Sequence, residues 1–234
     1  IDNIVSVVSN SKRIHYDASS KQISLELTYQ AEQLITDNIQ YRLKNPTIMS
    51  MKWQDYIEVD GLKLTEEQQA ILQVAQDNNV MILTGSAGSG KTNTMKALIY
   101  MLEDNEYSYT MLCPTGTAAQ VLSRATGRHA STIHMFLVSN IECGDFLILE
   151  ESSMIGVELL AMLLGSIPKE TKIIFICDPS QLSSISCGNI VHDILESHKV
   201  PNVNLTKIFR YNSSGLITVA TDTRMGNSSS FTTQ

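Results

Sequence analysis

The stretch from Val80 to Thr92, VMILTGSAGSGKT, constrains the fold more than any other part of the chain. A short apolar run, expected as a buried strand, passes through a loop of small residues into a helix-forming segment from Asn93 to Leu102. Gly85, Gly90, Lys91 and Thr92 stand at the spacing GxxxxGK[ST], in the strand–loop–helix setting that gives this pattern its meaning. Glycines let main-chain N–H groups curl around phosphate oxygens, and the start of a helix adds partial positive charge there. The loop, including Gly88 and Ser89, is therefore expected to hold the phosphates of ATP. Lys91 would reach the β- and γ-phosphates, and the Thr92 hydroxyl would ligate Mg²⁺. The competing reading is a Gly/Ser turn that fits the pattern by accident, against which the flanking strand and helix argue.

Carboxylates supply the second constraint. Glu150 and Glu151 follow the apolar run Phe146 to Leu149, where one acid would hold Mg²⁺ through water and the next would polarise the attacking water. Taken alone, two acids after a strand are more commonly a solvated strand end, and it is the phosphate loop upstream that favours the catalytic reading. Net charge is −7, which by itself gives no hint of nucleic acid, yet between Glu106 and Glu142 there is no carboxylate at all. Arg124, Arg128, His129 and His134 fall in that window, which suits either a phosphate backbone or a partly buried neutral segment.

Around these sites the chain alternates between strand-like and helix-like segments. Strand-like pieces are expected near Ile4–Val8 and Ile23–Leu27, an amphipathic helix from Tyr29 to Leu43, and a connector from Pro46 to Gly61 carrying Trp53 as a packing anchor. Thr65 with Gln68 makes a capping box for a helix to about Gln76. Beyond the phosphate loop come strands at Tyr109–Cys113, Phe146–Leu149, Lys172–Cys177 and Val203–Leu205, with helices at Ala118–Ala125 and Val157–Leu164 between them. Polar residues repeatedly follow the carboxyl ends of these strands, where open parallel α/β sheets bind ligands. The cysteines Cys113, Cys143, Cys177 and Cys187 lack CxxC spacing and are expected as thiols in a reducing cytoplasm. His15, His129, His192 and His198 stand in no motif.

Together these residues resemble the RecD-like branch of superfamily 1 DNA helicases. Leu64-Thr65-Glu66-Glu67-Gln68 resembles the family's Q motif, which implies that Gln68 contacts adenine. The segments 114–119 (PTGTAA) and 131–134 (STIH) resemble its strand-gripping motifs, implying Thr115, Thr117, Ser131, Thr132 and His134 as contacts to single-stranded DNA. Glu150-Glu151-Ser152-Ser153-Met154 is similar to the Asp-Glu-Ala-Ser-Met motif, with Glu150 toward the metal and Glu151 as the water-activating carboxylate. The segment 178–182 (DPSQL) implies Gln181 as γ-phosphate sensor, and 205–210 (LTKIFR) implies Arg210 as the arginine reaching the same phosphate. Tyr29-Gln30-Ala31-Glu32 and the helix after it resemble the element preceding the motor in bacterial members. The likeness runs through roughly residues 25–225 in family order, with four departures: Glu150 for aspartate, Cys177 for glycine, Ser183 for proline, and a short stretch between His134 and Phe146.

The resemblance implies an α/β fold: a RecA-like P-loop NTPase domain over residues 61–234, its parallel sheet flanked by helices, after a short α/β remnant of an upstream domain over residues 1–60. It implies ATP and Mg²⁺ as cofactors, and single-stranded DNA, a second RecA-like domain of the parent chain and repair or recombination proteins as partners. A cytoplasmic motor moving 5′-to-3′ is expected, with no membrane contact. Two other classes stay open, an ATP-gated binding module with weak or no hydrolysis and a small-molecule P-loop kinase.

Overall fold

The computed structural model of the chain describes residues 13–17, 19–139, 141–180 and 189–209. It opens with an antiparallel hairpin of β1 (Ile14–Asp17) and β2 (Gln22–Leu25), followed by α1 (Glu26–Lys44). Apolar pattern extends the second strand to Leu27, but helix begins at Glu26, whose N–H donates to Arg13 O at 2.9 Å. The expected strand at Ile4–Val8 lies outside the described residues. One face of α1 buries Ile35, Ile39 and Arg42. Arg42 is fully buried, and its guanidinium donates to Thr171 O at 3.0 Å, Pro168 O at 2.9 Å and Asn38 Oδ1 at 3.1 Å. A buried cation needs such acceptors, so Arg42 fastens α1 to the turn around Pro168 and Thr171.

The connector is more structured than its composition suggests. A single 3₁₀ turn, Trp53–Tyr56, sets Trp53 half-buried against the core, and a two-residue hairpin follows. Its strands, β3 (Glu58–Val59) and β4 (Leu62–Lys63), turn on Asp60 and Gly61, with φ of 52° and 75°. Positive φ at both central residues is what the twist of a tight hairpin demands, and Asp-Gly supplies it. In α2 (Glu66–Asp77) the capping box forms as expected, Gln68 N donating to Thr65 Oγ1 at 3.3 Å and Thr65 N to Gln68 Oε1 at 3.0 Å.

The remaining elements build one sheet. They are β5 (Val80–Gly85), α3 (Lys91–Asp104), β6 (Tyr109–Cys113), α4 (Gly116–Thr126), β7 (Ser131–Thr132), α5 (Ile133–Val138) and β8 (Phe146–Leu149). After the 3₁₀ turn Ser152–Met154 come α6 (Val157–Ser166), β9 (Lys172–Cys177), α7 (Ile190–Glu196) and β10 (Asn202–Leu205). All six strands run parallel in the order β10-β5-β9-β8-β6-β7. Every residue of β5, β8 and β9 is buried, because helices cover both faces, and this is why those strands read as unbroken apolar runs. One core lies between the sheet and α2, α3 and α4, and contains Leu72, Leu83, Leu98 and Ile174. The other lies under α1, α5, α6 and α7, and contains Ile39, Ile82, Leu160 and Phe175. Each such side chain contributes about 1.5–3 kcal/mol of burial.

Lys172, the first residue of β9, is fully buried and unites three segments. Its Nζ donates to Thr47 O (2.6 Å), Gln76 O (2.9 Å), Ala75 O (3.1 Å) and Asn78 O (3.1 Å). Just before β8, the Asp145 carboxylate accepts from Ser108 N at 2.8 Å and Ser108 Oγ at 2.6 Å. Gly144 lies directly against the main chain there, since a Cβ would come within 2.6 Å of Tyr109 N.

Candidate nucleotide cleft and strand face

A cleft of about 450 Å³ opens at the carboxyl ends of β5, β8 and β9, with the phosphate loop as its floor. Gly88 and Gly90 take φ of 87° and 90°, a left-handed conformation that glycine adopts at no steric cost. Gly90 is also pressed by Gln68, whose Nε2 would lie 2.2 Å from an added Cβ and donates to Ser89 O at 3.3 Å. At Gly85 an added Cβ would strike Ser89 Oγ at 2.4 Å. Close approach therefore favours glycine at Gly85, and both close approach and backbone freedom favour it at Gly90. Ser89 Oγ is buried without a hydrogen-bond partner, an unsatisfied group that an incoming phosphate oxygen or water would satisfy.

Charges face each other across this floor. Lys91, the first residue of α3, rests its Nζ on Gly85 O and on Ser86 O, the latter at 3.3 Å. Glu150 and Glu151 line the opposite wall, and Thr92 is exposed at the rim. Glu150 is only partly buried as a residue, but its Oε2 is sealed and has no hydrogen-bond partner. Burial pushes its carboxyl up to about 7, against the pull of Lys91 and with a further push from Glu151. The backbone of Glu151 is left-handed, with φ of 53° and ψ of 37°. That conformation costs a non-glycine residue about 1–2 kcal/mol and turns the chain so that both carboxylates reach one cleft.

Several contributors were not singled out as site residues from sequence. Asp178 Oδ2 accepts from Ala87 N at 3.0 Å, while its Oδ1 accepts from Ser180 N at 3.0 Å and Ser180 Oγ at 2.6 Å. It thereby locks the end of β9 to the phosphate loop. Phe209 lines the cleft, and its N–H donates to Gly88 O at 2.8 Å. Glu67 accepts from Thr206 N at 2.9 Å and Thr206 Oγ1 at 2.5 Å, contacts that hold its carboxyl below the usual range. These two bonds fix the segment leading to Phe209. The motif matches flagged both segments but not these roles. Cys177 stands at the cleft wall, its thiol pushed up to about 11 by burial. Gln181, Ser183, Cys187 and Arg210 lie outside the described residues. Among the described residues, no three His, Cys, Asp or Glu side chains converge as a metal cage.

The residues matched to strand-gripping motifs gather at the same end of the sheet. Thr115 and Thr132 are N-caps, their hydroxyls accepting from Ala118 N at 3.2 Å and Met135 N at 3.1 Å. Thr115, Thr117 and His134 are exposed, and Ser131 and Thr132 are half-buried. Arg128 lies in the window that is free of carboxylates in sequence, but it is opposed in space. Glu103 reaches in from α3, accepting from Arg128 Nε at 2.6 Å and Nη2 at 2.8 Å.

A parallel sheet covered on both faces, with a glycine loop, a lysine at a helix start and paired carboxylates at the strand ends, defines a RecA-like P-loop nucleotide-binding domain. The sequence profile of the AAA domain family matches residues 63–233, and the chain belongs to that family. Its likeness to RecD-like helicases holds in comparison with known proteins. Over 157 residues it is 31% identical to an ATP-dependent RecD2 DNA helicase of Deinococcus radiodurans, covering 63% of this chain and 22% of that protein. Over 167 residues it is 28% identical to the RecD subunit of the RecBCD enzyme of Mycolicibacterium smegmatis, covering 56% of this chain and 30% of that one. The chain thus spans less than a third of either relative. Among solved structures, a Bacteroides Pif1 helicase in complex with ADP-AlF3 and single-stranded DNA aligns at TM-score 0.51 and 25% identity, over 70% of this chain and 47% of that one. Pif1 of Candida albicans shares the fold at TM-score 0.55 and 18% identity, over 71% of this chain and 45% of that one. No helix among the described residues is long and apolar enough to cross a membrane.

Proposed function

We propose that this chain is the first motor domain of an ATP-dependent DNA helicase that moves 5′-to-3′ on single-stranded DNA. The observation that carries this reading is the cleft itself: a left-handed glycine cradle with Lys91 on one side and two carboxylates on the other. ATP phosphates would sit on the N–H groups of Gly88 to Thr92, with Gln68 toward the base. Lys91 would exchange carbonyl oxygens for phosphate oxygens, a stronger charge-assisted bond. Mg²⁺ would take the Thr92 hydroxyl and Glu150 together with phosphates and water, which accords with its preference for partial hydration over an all-protein cage. When bound, the ion offsets charge on the phosphates.

In this reading Glu151 orients and deprotonates the attacking water, while Gln181 and Arg210 report on and stabilise the γ-phosphate. Thr115, Thr117, Ser131, Thr132 and His134 would grip the DNA backbone without reading bases. A second RecA-like domain would close the cleft, and repair or recombination proteins are the expected partners. The test is steady-state ATP hydrolysis by the longest reading frame containing this chain, with and without oligo(dT). DNA-stimulated turnover is expected, abolished by Glu151→Gln and retained or raised by Glu150→Asp, which removes a methylene from a crowded wall. Turnover indifferent to DNA, with phosphate delivered to a small acceptor, would favour a kinase instead.

A further inference from the structure

β10 ends at Leu205, buried opposite the first glycine of the phosphate loop, and residues 206–209 leave it without regular secondary structure. This irregular segment delivers Phe209, which among the described residues is the one aromatic side chain lining the cleft, and it stands 57% exposed. Burial therefore does little to hold the ring, and its tethers decide where it stands. One tether is the Phe209 N–H, which donates to Gly88 O at 2.8 Å. The other is Glu67, whose carboxylate accepts from Thr206 N at 2.9 Å and Thr206 Oγ1 at 2.5 Å. The main chain and ammonium of Lys207 favour the same charge.

Glu67 and Gln68 are neighbours in the first turn of α2, and they reach in different directions. Gln68 Nε2 donates to Ser89 O at 3.3 Å, inside the phosphate loop. Gln68 and the Phe209 ring converge on Gly90, where an added Cβ would lie 2.2 Å from Gln68 Nε2 and 3.8 Å from Phe209 Cδ2. A phenyl ring brings neither donor nor cation to a triphosphate, so what Phe209 contributes goes to the nucleoside. We propose that Glu67 is a positioning residue for the nucleoside end of the cleft: by clasping Thr206 it holds Phe209 beside Gln68, and it adds affinity for base and sugar, not for the phosphates. Glu67 does not itself line the cleft and acts through the main chain of residues 206–209. The inference rests on the nucleotide reading of the cleft and not on movement along DNA.

Calorimetry on the full 234-residue chain, with Mg-ATP and with magnesium tripolyphosphate, separates this role from a general one in folding. Glu67→Ala is expected to weaken ATP about fivefold, the scale of a net hydrogen bond, and to leave tripolyphosphate affinity unchanged. Glu67→Gln, which keeps one carbonyl acceptor, is expected to recover part of the loss. Phe209→Ala is expected to weaken ATP as well, and adding Glu67→Ala to it is expected to cost nothing further, since both act through one segment. Equal losses for ATP and tripolyphosphate in Glu67→Ala would overturn the proposal in favour of a damaged loop. Parental ATP affinity in Glu67→Ala would overturn it too, as would full additivity with Phe209→Ala. A parent chain that binds neither ligand would instead remove the nucleotide reading, and this proposal with it.

Discussion

Lys172 and Lys91 both rest an ammonium group on main-chain carbonyls, at opposite ends of the same parallel sheet. Lys172 is sealed from solvent and holds four carbonyls, three of them at the end of α2. Lys91 is partly buried and lies on Gly85 and Ser86 at the open cleft. Burial pushes the Lys172 ammonium down to about 8, so it stays charged at neutral pH, and the negative end of the α2 dipole favours that charge. The difference lies in what replaces the partners if the lysine lets go. Around Lys172 the ammonium is sealed from solvent, and Ala75 O, buried with it, is left without that donor. At Lys91 the carbonyls adjoin a cleft open to solvent, and the ammonium can trade them for an anion. Equivalent chemistry is a rivet in one place and an exchangeable contact in the other, with exposure deciding between them.

Removing the rivet is expected to have the largest effect. Lys172→Met keeps most of the apolar stem but takes the ammonium from four carbonyls, a loss of about 3–5 kcal/mol at roughly 1.5 kcal/mol per hydrogen bond to a charged group, less what the solvent-facing carbonyls recover. Denaturant midpoints measure it, and a midpoint within error of the parent would show that the carbonyls find other donors. Lys91→Ala is expected to show the reverse pattern: near-parental stability, with nucleotide affinity falling by roughly 2–3 kcal/mol, the scale of a lost charge-assisted contact. Calorimetry with Mg-ATP checks the second half. If Lys91→Ala instead unfolded the chain while sparing nucleotide affinity, the two lysines would have to be reassigned as alike.

Of these two lysines, only Lys91 was legible from sequence as functional, and the reason is locality. The glycine loop, its lysine and the following helix lie within a few turns of chain, so spacing alone carries their geometry. The Thr65–Gln68 box and the apolar runs of β5, β8 and β9 are legible for the same reason. Lys172 reads as an ordinary charged residue at a strand start because Thr47 and Ala75, its partners, lie far away along the chain. Arg42, bonded to Thr171 O, is hidden in the same way. Glu151 illustrates another kind of blindness, since nothing about glutamate announces a left-handed backbone. The Asp60-Gly61 hairpin, by contrast, carries its signal in plain view between short apolar flanks, inside a segment whose composition otherwise reads as a connector. Local chemistry is recoverable from spacing, whereas a tertiary clasp needs the fold first.

Arg128 extends the comparison to an exposed cation, and the smallest effect is expected there. Its guanidinium grips Glu103, and the Tyr109 hydroxyl donates to the same carboxylate at 2.6 Å. Arg128 foremost holds the Glu103 carboxyl below its usual range, against the push of burial, which ranks next, and with a further pull from the Tyr109 hydroxyl. A carboxyl depressed in the folded state contributes stability that is fully present above its unfolded value. That contribution is lost as pH falls through the folded value. The deficit of Glu103→Gln relative to the parent should therefore be greatest near neutrality and shrink on acidification below about pH 4, the ordinary carboxylate range. Because the clasp is open to solvent, added salt should also reduce that deficit, whereas the Lys172→Met deficit should barely respond. Thermal melts of the three proteins across pH, at low and high salt, decide the matter. A Glu103→Gln deficit that persists unchanged in acid and in salt would mean that the clasp works through neutral packing around Tyr109. Exposure would then no longer rank the three cations.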